Sequence, residues 1–536
     1  MGEAAATPRT SKSQPITTVN LATKSLFAAG AIALGLLFTC SACTAEENPE
    51  GGGGAGESGV AEGGPSKPGV HLGTISSTGA GPNNSGRQGL VLAKSEFGAV
   101  PLPATMVIMR PEGSDTEGWT WTEEKVVTAP GLIRVQLGDA ADGTVVVRQV
   151  DETSHEAIGD ASILAVKDGS WNLEPTTAAD ITWRENSEGK PVTKTYEMGG
   201  GNVFHKCMWW DPKYGEPGIL TISANMPYMT IWRRDGGKWV PELLWSEFVG
   251  GKEQRYRDVE IGDVDHDGED ELVLVTHDRG AIYVMEQTEN GLVAEEVHRT
   301  EERIFVHEAE IGDVDGDGKV EFFTTPSEPN RLDGHHQAGW VDMFRYNAET
   351  KKYERTVVAE LTDRHAKEIL VADYEGDGTA ELYIALEAEG TDKVVGVSRY
   401  TWQDGKMTEE FTYDLKGKMC RFLNLADTDG DGVNEIIAST RNAGIFKLWK
   451  DKESGEWDDF KIKPFYVSSS FEHATVAFDW DGDGKDDLFV AADDQEKIYR
   501  LTWNPEKKKY DHKKIGDWAG GGKYFVWGVM PLPSGQ

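Results

Sequence analysis

The chain has 536 residues, of which 27% are charged, and its formal net charge is −37. Such an acidic surface repels polyanions, so DNA and RNA are excluded as expected partners.

The first 88 residues have the composition of a targeting segment and a linker. Basic residues precede an apolar run, Leu26–Phe38, that is short for a membrane span. Cys40 and Cys43 follow, with Ser and Ala between them, and this pattern resembles a bacterial lipoprotein signal. The resemblance implies a signal peptide over residues 1–43, a lipid on Cys43 and a location outside the cytoplasm, on the outer membrane, in the periplasm or on the surface. Ordinary secretion and an uncleaved anchor are the alternatives.

Residues 44–88 are rich in Gly, Pro and Ser, which is typical of a flexible tether. The membrane is therefore expected to contact the protein only through the N-terminal lipid. Residues 89–202 contain four runs with strand composition. These are Thr105–Met109, Trp119–Glu123, Leu132–Leu137 and Thr144–Gln149.

Five acidic loops, each followed by an apolar strand, share the pattern D-x-[DE]-x-D-G-x-x-[DE]. They begin at Asp263, Asp313, Asp373, Asp427 and Asp479, with spacings of 50, 60, 54 and 52 residues. A motif that recurs at a near-constant period indicates a repeat architecture. An acidic loop can be only a solvated turn, but five copies in the same register favour a cation site.

Each loop offers carboxylates at positions 1, 3, 5 and 9 and a backbone carbonyl at position 7, after a glycine that permits the sharp turn. The candidate metal ligands are Asp263, Asp265, Asp267, Glu269 and Glu271; Asp313, Asp315, Asp317, Lys319 and Glu321; Asp373, Glu375, Asp377, Thr379 and Glu381; Asp427, Asp429, Asp431, Val433 and Glu435; Asp479, Asp481, Asp483, Lys485 and Asp487. Glu375, the longer side chain at position 3, makes the third loop the least regular.

All-oxygen ligands on a flexible loop favour Ca²⁺ over Mg²⁺, and Zn²⁺ would need His or Cys. An EF-hand is excluded because it requires a glutamate at position 12 and a helix after it. Position 12 is instead occupied by Leu274, Thr324, Ile384, Ala438 and Val490, within β-branched and aromatic runs.

The motif and period resemble the FG-GAP/VCBS repeats of calcium-binding β-propellers, as in the integrin α-subunit head, over roughly residues 203–515. The resemblance implies an all-β propeller of four-stranded blades, in which each calcium loop joins the first and second strands of a blade. Up to five Ca²⁺ ions would then have a structural role.

A sixth repeat without a calcium site begins at Val203, because Lys213, Gly215 and Ile219 occupy ligand positions. The chain ends in one further strand-like run, which predicts closure of the propeller by pairing of the N- and C-terminal strands. We expect repeat blades over 203–536 and degenerate blades over 89–202, giving seven blades, or eight if the N-terminal stretch supplies another.

A basic residue stands six positions before the first aspartate of every repeat: His205, Arg257, His307, Lys367, Arg421 and His473. We place this column just before the innermost strands, near the channel and on the face opposite the calcium loops. The residues could pair with acidic groups or cap a neighbouring blade, or they could form a site for an anionic ligand such as an acidic sugar or a carboxylate.

Loops on the same face, 276–280, 326–339 and 440–444, are the expected contact surface for a partner. The second of these contains a His335–His336 pair, which we interpret as part of a polar loop. Cys207 and Cys420 are expected to be free buried thiols.

Two functions fit the sequence best. The first is a non-enzymatic binding or adhesion module for a protein or glycan. The second is a propeller polysaccharide lyase. The candidate bases are then His205, His307 and His473, and the carboxylate of the substrate would be held by Arg257 and Arg421. No recognised catalytic motif is present, which favours binding. A scaffold subunit of an envelope complex is a third alternative.

Overall fold

The computed structural model describes parts of the chain between residues 87 and 536. The ranges are 87–97, 104–115, 118–127, 131–141, 143–150, 157–167, 170–176, 178, 180–185, 191–198, 203–224, 227–235, 238–247, 249, 255–277, 279–301, 304–328, 338–362, 364–387, 395–415, 417, 419–441, 443–462, 473–492, 497–517, 523–534 and 536. Among these residues no helix is long and apolar enough to cross a membrane.

Within these ranges the chain forms seven four-stranded antiparallel sheets, which we number I to VII. Sheet I contains, from inside to outside, β34 (Lys523–Leu532), β1 (Gly89–Phe97), β2 (Thr105–Ser114) and β3 (Gly118–Val127). Sheet II contains β10 (Val203–Trp210), β11 (Gly218–Ala224), β12 (Tyr228–Asp235) and β13 (Lys238–Ser246). Sheet III contains β14 (Tyr256–Gly262), β15 (Glu271–Thr276), β16 (Ala281–Thr288) and β17 (Gly291–Arg299).

The remaining four-stranded sheets repeat this order. Sheet IV contains β18 (Phe305–Gly312), β19 (Glu321–Ser327), β20 (Gly339–Asn347) and β21 (Lys352–Leu361). Sheet V contains β22 (His365–Ala372), β23 (Glu381–Glu387), β24 (Val395–Gln403) and β25 (Lys406–Leu415). Sheet VI contains β26 (Cys420–Ala426), β27 (Glu435–Thr440), β28 (Gly444–Lys450) and β29 (Trp457–Lys461). Sheet VII contains β30 (His473–Phe478), β31 (Asp487–Ala492), β32 (Lys497–Asn504) and β33 (Lys509–Asp517).

The sheets pack face to face because their middle strands are apolar on both sides. In β15, Leu272 and Leu274 contact sheet II, whereas Val273 and Val275 contact sheet IV. Alternate side chains of a strand point to opposite faces, so a strand buried on both sides needs an apolar residue at every position. Seven apolar clusters fill the seven interfaces between successive sheets, including the one between sheets VII and I. The sheets therefore form a closed ring, and the predicted all-β propeller is confirmed.

The ring closes through the two ends of the described chain. Strand β34 pairs antiparallel with β1, from Gly89 opposite Leu532 to Phe97 opposite Lys523. The C-terminal strand is thus the innermost strand of a sheet whose other three strands come from the N-terminal part, as the sequence predicted.

Residues 131–198 form a separate sheet, which we call the inserted sheet. Its strands are β4 (Gly131–Asp139), β5 (Val145–Val150), β6 (Ala157–Lys167), β7 (Ser170–Pro175), β8 (Thr182–Trp183) and β9 (Thr193–Met198). The order is β7-β6-β5-β4-β8, and β9 also pairs with β4. Among the described residues of the N-terminal stretch, strands within 89–127 belong to the ring and strands within 131–198 form the inserted sheet, so the expected seven or eight blades correspond to seven four-stranded sheets and one sheet of different order.

Ring closure should depend on the apolar residues of β34. Val529 is 2% exposed between sheets VII and I, whereas Val293 is 55% exposed on an outer strand. We expect Val529→Ala to lower the free energy of unfolding by about 1–3 kcal/mol, because two methyl groups leave a filled core. Val293→Ala should change it by less than about 0.5 kcal/mol. Urea denaturation measures both, and equal effects would contradict the packing of β34.

Candidate functional site in the central channel

The five acidic loops connect the first and second strands of sheets III to VII, which is where the sequence placed them. In each loop the carboxylate of position 1 accepts a hydrogen bond of 2.8–3.0 Å from the backbone N–H of position 6. The position 6 glycines have φ values between 75° and 94°, a conformation that a side chain would strain. The glycine and the first aspartate therefore fix the same turn five times.

Carboxylate oxygens converge in four of these loops, with ligand atoms within 4.8 Å of one another. The groups are Asp263, Asp265 and Glu271; Asp313, Asp315 and Glu321; Asp427, Asp429 and Glu435; Asp479, Asp481 and Asp483. The loop that begins at Asp373 is not among them. Asp263 Oδ1 and Asp429 Oδ1 are buried and accept no hydrogen bond within the described part of the chain. Unsatisfied buried carboxylate oxygens of this kind suit a bound cation.

A basic side chain from the third strand bridges positions 3 and 9 in four loops. The bridges are Arg345 to Asp315 (2.6 Å) and Glu321 (2.8 Å); Arg399 to Glu375 (3.1 Å) and Glu381 (2.7 Å); Lys447 to Asp429 (2.7 Å) and Glu435; Arg500 to Asp487 (2.7 Å) and Asp481. Among the described residues, no Lys or Arg makes this bridge in the loop of Asp263. Burial, followed by the charge of Asp265, raises the pKa of Glu271 to about 8. The pKa values of Glu321 and Glu435, which have basic partners, rise to about 7.

Neighbouring acidic loops are hydrogen-bonded to each other. The position 8 residue of one loop donates to a backbone carbonyl at position 1 or 2 of the preceding loop. The contacts are Ala380 N to Asp313 O at 2.7 Å, Asn434 Nδ2 to Tyr374 O at 2.9 Å and Asp486 N to Asp427 O at 2.9 Å. These bonds connect sheets IV to VII through their loops.

The basic column lies inside the innermost strands, whereas the sequence placed it just before them. Five of its members occupy a β-bulge, where the register of the first strand shifts by one residue against the second: His205, Arg257, His307, Lys367 and Arg421. A bulge leaves one residue unpaired and re-aims its side chain. His473 begins β30 without a register shift, and its side chain lies outside the described part of the structure.

Sheet I has the same bulge but carries an aromatic residue there. The register between β1 and β34 shifts at Trp527. Its ring lies 5.1 Å from that of His205, and the Arg257 guanidinium carbon lies 6.0 Å from its centre. Trp527 was not predicted as a site residue because no acidic loop follows β34 to fix its register.

The innermost strands enclose a cavity of ≈ 130 Å³ in the central channel. Its charged lining residues are Lys206, Arg257, Asp258, Glu260, Glu308, Glu310, Lys367, Glu368 and Arg421, and His205 and Trp527 also line it. Pockets for drug-sized ligands are about 300–1,000 Å³, so this cavity suits a small molecule or a single terminal group.

Carboxyl groups next to the bulges tie adjacent sheets together. Lys206 Nζ contacts Asp258 Oδ1 at 2.9 Å and also Glu260. Asp258 accepts a hydrogen bond of 3.0 Å from Ala309 N, and Glu368 accepts the equivalent bond of 2.9 Å from Leu423 N. This acidic layer was not among the predicted site residues, although its members follow the basic column by one and three residues.

Burial raises the pKa of most carboxyl groups in the layer, but at Asp258 it is outweighed by the charge of Lys206 together with the hydrogen bonds that the carboxylate accepts, and the pKa is lowered. Burial raises the pKa of Glu260 to about 7 against the opposing charge of Lys206, and it raises those of Glu308, Glu310 and Glu368 well above the usual range. Burial also lowers the pKa of His205 and His307 well below the usual range, aided by nearby Arg257 and His277 respectively. These histidines are therefore neutral at pH 7.

Arg421 of the basic column is paired with an acidic group, which is one of the alternatives that the sequence left open. Arg421 forms a buried ion pair with Glu387, which also contacts His365 Nε2 at 3.0 Å. Cys207 and Cys420 are free and buried, as expected. Cys43, the His335–His336 pair and residues 329–337 of the expected contact loop lie outside the described residues.

A second cavity, of ≈ 520 Å³, lies on the face of the acidic loops. Its lining includes Tyr374, Asp427, Asn434, Lys450 and Asp486. The sequence predicted a ligand site only on the opposite face, because contacts between loops of different repeats cannot be derived from the motif alone.

Comparisons with known proteins give a distant structural likeness only. No family model matches the chain, and no curated protein matches it in sequence. A lectin of Agrocybe aegerita that recognises non-reducing terminal N-acetylglucosamine is 15% identical over 76% of this chain and 97% of its own, with a TM-score of 0.42. A periplasmic gluconolactonase of Pseudomonas aeruginosa is 13% identical over 75% of this chain and 99% of its own, with a TM-score of 0.39. The propeller assignment rests on the sheet order of the chain itself.

The elevated pKa of Glu271 predicts how stability changes with pH in the absence of divalent ions. A glutamate whose pKa is raised in the folded state stabilises the fold below its ordinary pKa, and this contribution is lost as the pH rises towards about 8. With a chelator present, Glu271→Gln should reduce the fall in melting temperature between pH 5 and pH 8. Glu289→Gln, in an exposed turn, should leave the fall unchanged. Identical pH profiles for the wild type and Glu271→Gln would contradict the prediction.

Proposed function

We propose that the protein is a calcium-stabilised propeller of the FG-GAP/VCBS type that acts outside the cytoplasm as a binding module. The observation that carries the proposal is the row of bulges, which turns Arg257, Lys367 and Trp527 towards one cavity. Guanidinium and ammonium groups in a partly enclosed cavity attract anions. The ligand is an anionic group of a protein or glycan, such as a carboxylate or an acidic sugar. The lipid anchor on Cys43 would hold the module at the membrane.

Calcium would be held by the carboxylates of positions 1, 3, 5 and 9 and the carbonyl of position 7. The converging oxygens and the unsatisfied Asp263 Oδ1 support this fit. The ion would neutralise repelling carboxylates and order the loops, so its role is structural. The loop of Asp263 would depend on it most, because the other four loops have their own basic bridge.

A matched pair of variants tests the calcium proposal. Saturating calcium should raise the melting temperature by several degrees relative to chelator, since an ion at 100 times its Kd adds about 2.7 kcal/mol. Asp265→Asn should remove much of this increase, because position 3 of that loop has no basic partner. Glu375→Gln, at the same position beside Arg399, should remove less. An unchanged melting temperature in the wild type would refute a structural role for calcium.

Anion binding is tested by titration calorimetry with acetate and galacturonate. Arg257→Gln should weaken binding of both about tenfold or more, because a charge-assisted contact is lost. Lys406→Gln removes an equal charge from an exposed outer hairpin and should have no effect. Equal affinities in both variants would place the anion elsewhere.

The alternative function, a polysaccharide lyase, would require His205 or His307 to reach a polymer. These side chains are 5% and 3% exposed, and the cavity is small. Their burial favours binding without catalysis. A rise in absorbance from unsaturated uronates that depends on His307 would instead support the lyase.

A further inference from the structure

The channel cavity is lined by two kinds of charge at different depths. Along β14, Arg257 comes first, followed by Asp258 and Glu260. Three residues of a strand span about 10 Å, so basic and acidic groups occupy successive levels of one channel. A ligand that enters this cavity meets both.

The acidic level has one basic partner in direct contact among the described residues. Lys206 contacts Asp258 and Glu260. Within the described part of the chain, no Lys or Arg lies within 4.0 Å of the carboxylates of Glu308, Glu310 or Glu368. The channel thus contains more carboxyl groups than the cations beside them can balance.

Two carboxylate oxygens in this level are buried without a partner. Glu260 Oε2 and Glu310 Oε2 accept no hydrogen bond from any described residue, and their side chains are 1% and 7% exposed. Both residues line the cavity. A buried carboxylate oxygen without a partner destabilises the fold, so a ligand that donates hydrogen bonds or carries positive charge is favoured there.

The basic level provides the complementary group. Arg257 packs against Trp527 at the bulge and is partly exposed to the cavity. The aromatic face holds the guanidinium in place and leaves its N–H donors for a carboxylate.

We infer that the cavity binds a small zwitterion, with its carboxylate at Arg257 and its ammonium group between Glu260 and Glu310. The inference rests on the proposed binding function and specifies its ligand class. A cavity of ≈ 130 Å³ admits a small amino acid but no polymer. Because the carboxyl layer is partly protonated, uptake of the ammonium group releases protons, and affinity increases with pH.

Four probes test the carboxylate and the ammonium group of the ligand, together or one at a time. Glycine and γ-aminobutyrate carry both groups, acetate carries only the carboxylate, and methylammonium carries only the ammonium group. In calorimetric titrations of the full chain with calcium, at least one of the two amino acids should bind ten times or more tighter than acetate and methylammonium. Glu310→Gln should abolish this advantage without weakening acetate binding, and Glu260→Gln is the second variant should Glu310→Gln fail to fold. Glu349→Gln, in an exposed turn, is the matched control.

The outcomes distinguish the inference from the function on which it rests. If acetate binds as tightly as the amino acids, the zwitterion is wrong and the anion site stands. If methylammonium alone matches them, the channel is a plain cation site and the zwitterion is again wrong. If no probe binds, both proposals fail.

Discussion

The structure depends on apolar packing between the faces of successive sheets. A middle strand such as β15 is buried on both sides, so each sheet requires two neighbours. An open row of sheets would leave two apolar faces in water. The ring removes them, and it can do so only because β34 returns to β1.

Closure of the ring also explains why charged side chains of the innermost strands line the central channel. The first strands meet around the channel, where each presents one edge and the side chains at its bulge. Carboxylates such as Asp258 and Glu368 satisfy the backbone N–H groups that the bulges of the next sheet release. The channel is therefore polar because the bulged strands need hydrogen-bond partners, whether or not a ligand binds. It also contains an excess of carboxyl groups over the basic groups beside them.

The sequence predicted the features that local chemistry determines. The loop of Asp313 could be assigned completely because its ligands, its glycine and its flanking strands lie within a dozen residues. The sequence also predicted the basic column, since the repeat register aligns it. It could not reveal Arg345 or Arg399 as partners of loop carboxylates, because those contacts depend on the pairing of the second and third strands. Trp527 was missed for a similar reason: its equivalence to Arg257 arises only when the two ends of the chain pair.

The hydrogen bonds between acidic loops connect the turns of sheets IV to VII to one another. The position 8 residue of each later loop donates to the earlier loop, and between sheets VI and VII Asp427 N also donates to Asp486 Oδ2 at 2.8 Å, so these two loops hold each other reciprocally. The acceptor carbonyls at Asp313 and Asp427 belong to the same residues whose carboxylates begin a loop. Ordering of one loop therefore fixes a hydrogen-bond acceptor for its neighbour, so the conformations of adjacent turns depend on each other.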